Sequence, residues 1–283
     1  MLRLCALTLA VLASVLAIFW MSFPSRHRGP AYTEEMSRVF EARLAALDSA
    51  LRVRTTEGDD GLYLRGYPGV DCCVDELRID REWGFAFQHD MIWGDFNWGP
   101  LDRTGDELRL LPTIPLCENR CNSPGEQFRI VRWGARRYLV EPERMDAFVN
   151  AVNRGRAVHL RYSFWAREPE GDVPFEGLPA LPADVASKLF ATPKTGRLVD
   201  AKRIDDPMSE SPPHCTFELR LDAGKTDGVW IGMACFLSDA SSIWTCAVTS
   251  VDDASAVAVA RCLGRELVHA EPQGGWRWST RED

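Results

Sequence analysis

The sequence is poor in the groups that catalysis most often uses. It has five histidines among 283 residues. It has no glycine-rich phosphate loop, no nucleophile elbow and no HExxH zinc helix, so the common phosphoryl-transfer, serine-hydrolase and zinc-protease architectures are excluded. His159 and His214 are the histidines in ordered-looking contexts, and His159 reads as a structural residue in a strand. The chain also lacks a basic balance: 33 Lys and Arg against 41 Asp and Glu give a net charge of -8. A general nucleic-acid binder needs a basic face, and no such partner is expected. No C-x2-C pair occurs, which removes the commonest zinc spacing and a catalytic dithiol. No cofactor and no resident metal are expected.

What is present is globular. Hydrophobic residues make up 46% and charged residues 26% of the chain, enough for a buried core. The length suits two ordinary domains. After Arg3, residues 4–23 carry no charge and are almost all apolar. A helix of that length rises about 30 Å and spans a bilayer core. A cleaved signal peptide has a shorter apolar core and a small-residue cut site; here the only plausible cut follows Ala17. The reading is a single-pass anchor in a bacterial inner membrane with a periplasmic body, the alternative being secretion after cleavage.

Nine cysteines are present. Cys5 lies in the apolar run. The other eight divide into Cys72, Cys73, Cys117 and Cys121, then Cys215, Cys235, Cys246 and Cys262. Two sets of four suit two separately stapled domains, and each set allows three pairings. The alternatives are buried thiols, which behave as small hydrophobes, or a four-thiolate metal site in the first set, disfavoured by the adjacency of Cys72 and Cys73.

The expected fold class is mainly β with a few helices (α+β), as two small β-rich domains after the N-terminal segment at 1–23. An amphipathic helix is predicted over 33–54, with an apolar face of Met36, Val39, Phe40, Leu44, Leu47 and Leu51. That face would pack on the β-domain or pair with a second copy. Residues 56–166 read as a β-meander domain. Its features are a hairpin at Gly134 and Ala135, a helix over 141–153 with an apolar stripe, and a last strand from Arg156 to Ala166. Residues 167–213 read as a proline-rich linker, 214–270 as a small β-barrel-like domain and 271–283 as a polar tail.

Two resemblances follow from these stretches. The hairpin Trp133, Gly134, Arg136, Tyr138, Leu139 and the helix ending Asn150–Gly155, within residues 61–155, resemble a loosely defined group of exported bacterial proteins. That group implies no activity. The segment AGKTDGVWIGM, within 215–262, is similar to hairpins of periplasmic β-barrel modules such as that of the rod-shape protein MreC. It implies assembly and protein contact; the cysteines are not part of that pattern.

The candidate binding residues are Trp93, Asp95, Asn97 and Trp98, where aromatic rings beside polar groups would stack on a cell-wall sugar, or else pack a core. Asp90 and Asp106 are further acids for that reading. Arg132 and Arg136, with Arg129 and Arg137 nearby, would meet an anionic group or line a solvated surface. The expected function is a non-enzymatic, membrane-anchored envelope protein that binds or scaffolds. Its partners would be the membrane through residues 4–23 and an envelope protein or cell-wall component. The alternative is a glycan binder or cell-wall-acting enzyme. Oligomeric state is not legible.

Overall fold

The computed structural model describes residues 33–53, 58–67, 70–89, 96–114, 125–155, 160–168, 177–204, 215–238, 243–262 and 271–281. The apolar run at 4–23 lies outside them, and no helix among the described residues is long and apolar enough to cross a membrane. The chain is mainly β with few helices, in two barrel-like sheets.

Helix α1 (Glu34–Val53) starts where the sequence supplies a cap. Thr33 Oγ1 accepts the Met36 N–H at 3.1 Å, and Glu34 and Glu35 stand at the positive end of the helix dipole. Phe40 and Leu47 are buried, and Met36 and Leu44 partly so, against Ala86, Trp98 and Ile114. This part of the apolar face packs on the first barrel, while Val39 stays exposed. Arg78 Nε donates to Asp48 Oδ1 at 2.6 Å across that seam.

The first barrel comprises β1 (Gly61–Tyr67), β2 (Val70–Asp80), β3 (Gly84–His89), β4 (Phe96–Gly99), β5 (Leu101–Thr104), β6 (Glu107–Leu110), β7 (Gln127–Trp133), β8 (Arg136–Val140) and β9 (Trp165–Glu168). The strand order is β4-β3-β2-β1-β9-β8-β7-β6-β5. β4 and β5 are the two edges of this order, yet only Pro100 separates them. Proline has no N–H to give the ladder, so one bent stave passes from edge to edge. The Leu111 N–H donates to Pro100 O at 3.0 Å and the Thr113 N–H to Trp98 O at 2.8 Å. These bonds carry the β6 run past β4 and curl the sheet round on itself. Glycine is required at the crossing: a Cβ on Gly99 would overlap Leu111 O, and one on Gly84 would overlap Gly99 O.

Alternation sends Tyr63, Leu77, Phe85, Phe87, Phe128, Ile130, Leu139 and Trp165 into one inner core. The β7–β8 hairpin turns as expected at Gly134 and Ala135. Gly134 alone has positive φ, at 59°, the pattern of a II′ turn. A short 3-10 turn (Pro142–Arg144) leads into α2 (Met145–Asn153). Its stripe of Met145, Phe148, Val149 and Val152 packs on the outer faces of β7 and β8 through Val131, Trp133, Tyr138 and Val140. The strand expected from Arg156 to Ala166 is instead one helical turn, α3 (Leu160–Ser163), followed by β9. Residues 156–159 lie outside the described set.

The second barrel is closed, in the order β10-β11-β14-β13-β12-β15. Its strands are β10 (Thr195–Arg203), β11 (Cys215–Leu221), β12 (Ala234–Ser238), β13 (Ile243–Val251), β14 (Ala256–Cys262) and β15 (Arg277–Ser279). The expected boundaries change here. β10 falls inside the stretch read as linker and β15 inside the stretch read as tail, and both are staves. Trp278 explains the second revision: it is fully buried, and its Nε1–H donates to Asp222 Oδ1 at 3.0 Å. Pro179 and Pro182 lead into the single turn α4 (Ala183–Ala186) and Pro193 precedes β10, while Pro207, Pro212 and Pro213 follow it in sequence.

The AGKTDGVWIGM stretch is also not a hairpin. It forms a 3-10 turn at Lys225–Asp227 and connects β11 to β12, which do not pair with each other. Val229 and Met233 enter the core, while Ile231 stays 64% exposed.

Candidate functional site

Strand alternation places charged residues on the inner face at both ends of the first barrel. At one end Arg65, Asp75 and His89 sit side by side across β1, β2 and β3, each opposite the next. Asp75 and His89 are buried. Asp75 Oδ2 accepts from Arg65 Nε at 3.1 Å and Nη2 at 2.7 Å, and Oδ1 faces His89 Nδ1. Arg65 also lies 4.6 Å over the Trp165 ring and 3.7 Å from buried Glu141. Glu141 in turn takes Arg144 at 3.4 Å. The carboxylate on Nδ1 orients the imidazole ring. Arg65 and Arg144 thus pair the buried carboxylates of Asp75 and Glu141 at this end.

At the opposite end, three guanidiniums converge on buried Asp59. Arg132 Nη2 donates to Oδ2 at 2.8 Å and Arg137 Nε to Oδ1 at 3.1 Å. Arg103 also reaches Oδ2, and Arg132 Nη1 continues to Asp106 Oδ1 at 2.7 Å. Burial alone would push the Asp59 carboxyl up. The Arg132 hydrogen bond and the charges of Arg103, Arg132 and Arg137 outweigh it and hold the carboxyl below its ordinary value. The Asp59 carbonyl accepts the Tyr63 hydroxyl at 2.8 Å, tying this cluster to the inner core.

A third polar site is the joint between barrels. Asn150 on α2 donates from Nδ2 to Gly232 O at 2.8 Å and accepts the Ala234 N–H at Oδ1, also at 2.8 Å. Its amide thus serves the second barrel's backbone as a neighbouring strand would. Asn153 repeats the arrangement on Lys188 O and the Phe190 N–H, each at 3.0 Å. Trp230 packs against the second barrel's core and against the apolar cluster between α2 and the outer face of the first barrel.

The sequence candidates scatter. Trp98 is buried beneath α1, 6.1 Å from the Phe40 ring, and so is a core residue. Asn97 is buried too; its amide accepts the Trp98 and Ile114 N–H groups and donates to Ile114 O at 2.8 Å. Trp93, Asp95 and Asp90 lie outside the described residues. Arg132 stands opposite Arg137, and both turn inward to Asp59. Arg136 pairs with Trp133 in register and falls on the other face. Arg129 faces Glu107 at 3.8 Å.

Cys235 and Cys246 are opposite one another in register, with free, buried thiols. Cys215 is opposite Cys262 in the ladder. Cys72 and Cys73 are within β2, and Cys117 and Cys121 lie outside the described residues. Among the described residues, no group of three His, Cys, Asp or Glu side chains could hold a metal ion.

Sequence reasoning missed Asp59, Asp75 and His89. His159 and His214, the histidines it favoured, lie outside the described residues. The available signal was parity: Asp75 is in phase with Leu77 and Ile79, and His89 with Phe85 and Phe87, so both had to face inward. Compared with family models, curated proteins and solved structures, the chain matches none of them.

Proposed function

We propose that the chain is a non-enzymatic envelope protein with a binding or scaffolding role, anchored through residues 4–23 with its two barrels outside the cytoplasm. The observation that carries this reading is how the described polar groups are used. The buried charges at both ends of the first barrel are committed to one another, and the inner faces are filled by the chain's own side chains. A partner would then be met by the outer faces and the connections. The Asn150 and Asn153 bridges support a two-barrel platform rather than two beads on a string. Trp98 no longer supports sugar stacking, because it lies under α1.

A reporter fused after β15 that is active only outside the cytoplasm tests the location: activity is expected, and a silent but folded fusion would overturn it. Retention of the purified body on cell-wall glycan tests the role. Passage through the column is expected, whereas specific retention would replace scaffolding with the glycan-binding alternative.

A further inference from the structure

The four cysteines of the second barrel are not scattered over its ladder. Cys215 is the register partner of Cys262 between β11 and β14, and Cys235 is the partner of Cys246 between β12 and β13. Directly opposite residues in an antiparallel pair have Cα atoms about 4.5–5.5 Å apart. That range lies within the span of about 4.4–6.8 Å that a disulfide bridges, and opposite residues share a face. For the inner pair the side chains are placed as well: the two sulfurs are 2.8 Å apart, both buried. Sequence alone allows three pairings of four cysteines; the register selects one.

We infer that the second barrel carries two cross-strand disulfides, Cys215–Cys262 and Cys235–Cys246, when the chain folds in an oxidising compartment. Each pair of thiols forms one S–S bond and gives up two protons and two electrons. The acceptor is an external disulfide, of glutathione or of a thiol oxidoreductase, whose own S–S bond breaks to leave two thiols. The inference rests on the proposed export only for the presence of that oxidant. In the closed barrel the hydrogen bond between Cys235 and Cys246, together with burial, holds the Cys246 thiol well above its usual range. A buried thiol of that kind is a poor nucleophile. The inner disulfide therefore forms before the staves close, and the finished barrel protects it.

The test is a pairing map on the whole chain. Protein isolated without reduction, and protein reduced and refolded in a buffer of reduced and oxidised glutathione, are unfolded in denaturant and alkylated with a maleimide at mildly acid pH. Both are then digested with trypsin and chymotrypsin and read by mass spectrometry. The expected result is a 215–262 link and a 235–246 link, with all four of these thiols unalkylated. In a C235A/C246A variant the 215–262 link should persist. A crossed pairing, such as 215–235, or four alkylated thiols in the refolded sample, would overturn the inference. Four alkylated thiols in the isolated protein alone, with correct links after refolding, would instead overturn the extracytoplasmic location.

Discussion

Tyr63, Phe85, Phe87, Phe128 and Trp165 fill the first barrel, whereas Ala256, Ala258 and Ala260 of β14 and the thiols of Cys235 and Cys246 line much of the second. The contrast follows from stave number. Barrel diameter grows with the number of strands, so the larger sheet encloses a space that only rings close. The six-stranded barrel leaves room for a few large side chains, Phe217, Trp244 and Trp278, set against small ones. The first barrel ends in buried ion clusters. The second is tied at β15 by its ladders to β10 and β12 and by a polar contact from Trp278 to Asp222. Inward residue size thus reports how many staves surround it.

The comparison is tested most severely by removing one ring from each core. Trp165→Ala and Trp278→Ala should each cost about 3–5 kcal/mol, and hydrogen-exchange mass spectrometry should show protection lost mainly in the barrel that carries the change. Equal loss in both barrels would mean they form one cooperative unit. Asp59→Ala should cost about 2 kcal/mol, less than a fully buried pair because its guanidiniums are partly exposed.

Because the Asp59 carboxyl titrates below its ordinary value of 3.8, its contribution is complete above that value and fades as pH falls through the lower folded value. The stability gap between wild type and Asp59→Asn should therefore be flat near neutrality and shrink below about pH 4. A denaturant series at several pH values reads it, and a gap that widened in acid would refute the assignment. Asn150→Ala, which removes two hydrogen bonds to the second barrel, should cost about 1–2 kcal/mol, seen in calorimetry as a lowered melting temperature. Thr33→Ala should cost about 1 kcal/mol or less, seen as fraying of α1 by circular dichroism with both barrels intact.

Elements with a local cause were legible in the sequence. Thr33 with its following acids, the Gly134–Ala135 turn and the α2 stripe each announce themselves within a few residues, and each forms as expected. β10 and β15 were not legible because their reason is distant: Gly196 and Trp278 are far apart in sequence and meet only when the barrel closes. β14 misleads more deeply. Its valines, 257 and 259, are the larger residues, yet the fully buried ones are alanines; size was decided by the space inside, not by hydrophobicity. The Trp-Gly pairs at 83–84 and 98–99 mattered for their glycines, where backbone meets backbone. Trp98 had suggested a sugar platform, and the glycines of both pairs were closing a barrel.

The short strand β15 also sets a sequence of events during synthesis. The ribosome completes every stave of the first barrel by Glu168, well before the second barrel has any. The second barrel cannot close until Arg277–Ser279 has been made, because β15 alone joins β10 to β12. With translation at about 5–20 residues per second, β11 to β14 spend seconds as an open sheet beside a finished neighbour. The Gly232 and Ala234 backbone groups that dock on Asn150 are made within that interval. The first barrel is thus positioned to act as the surface on which the second is assembled.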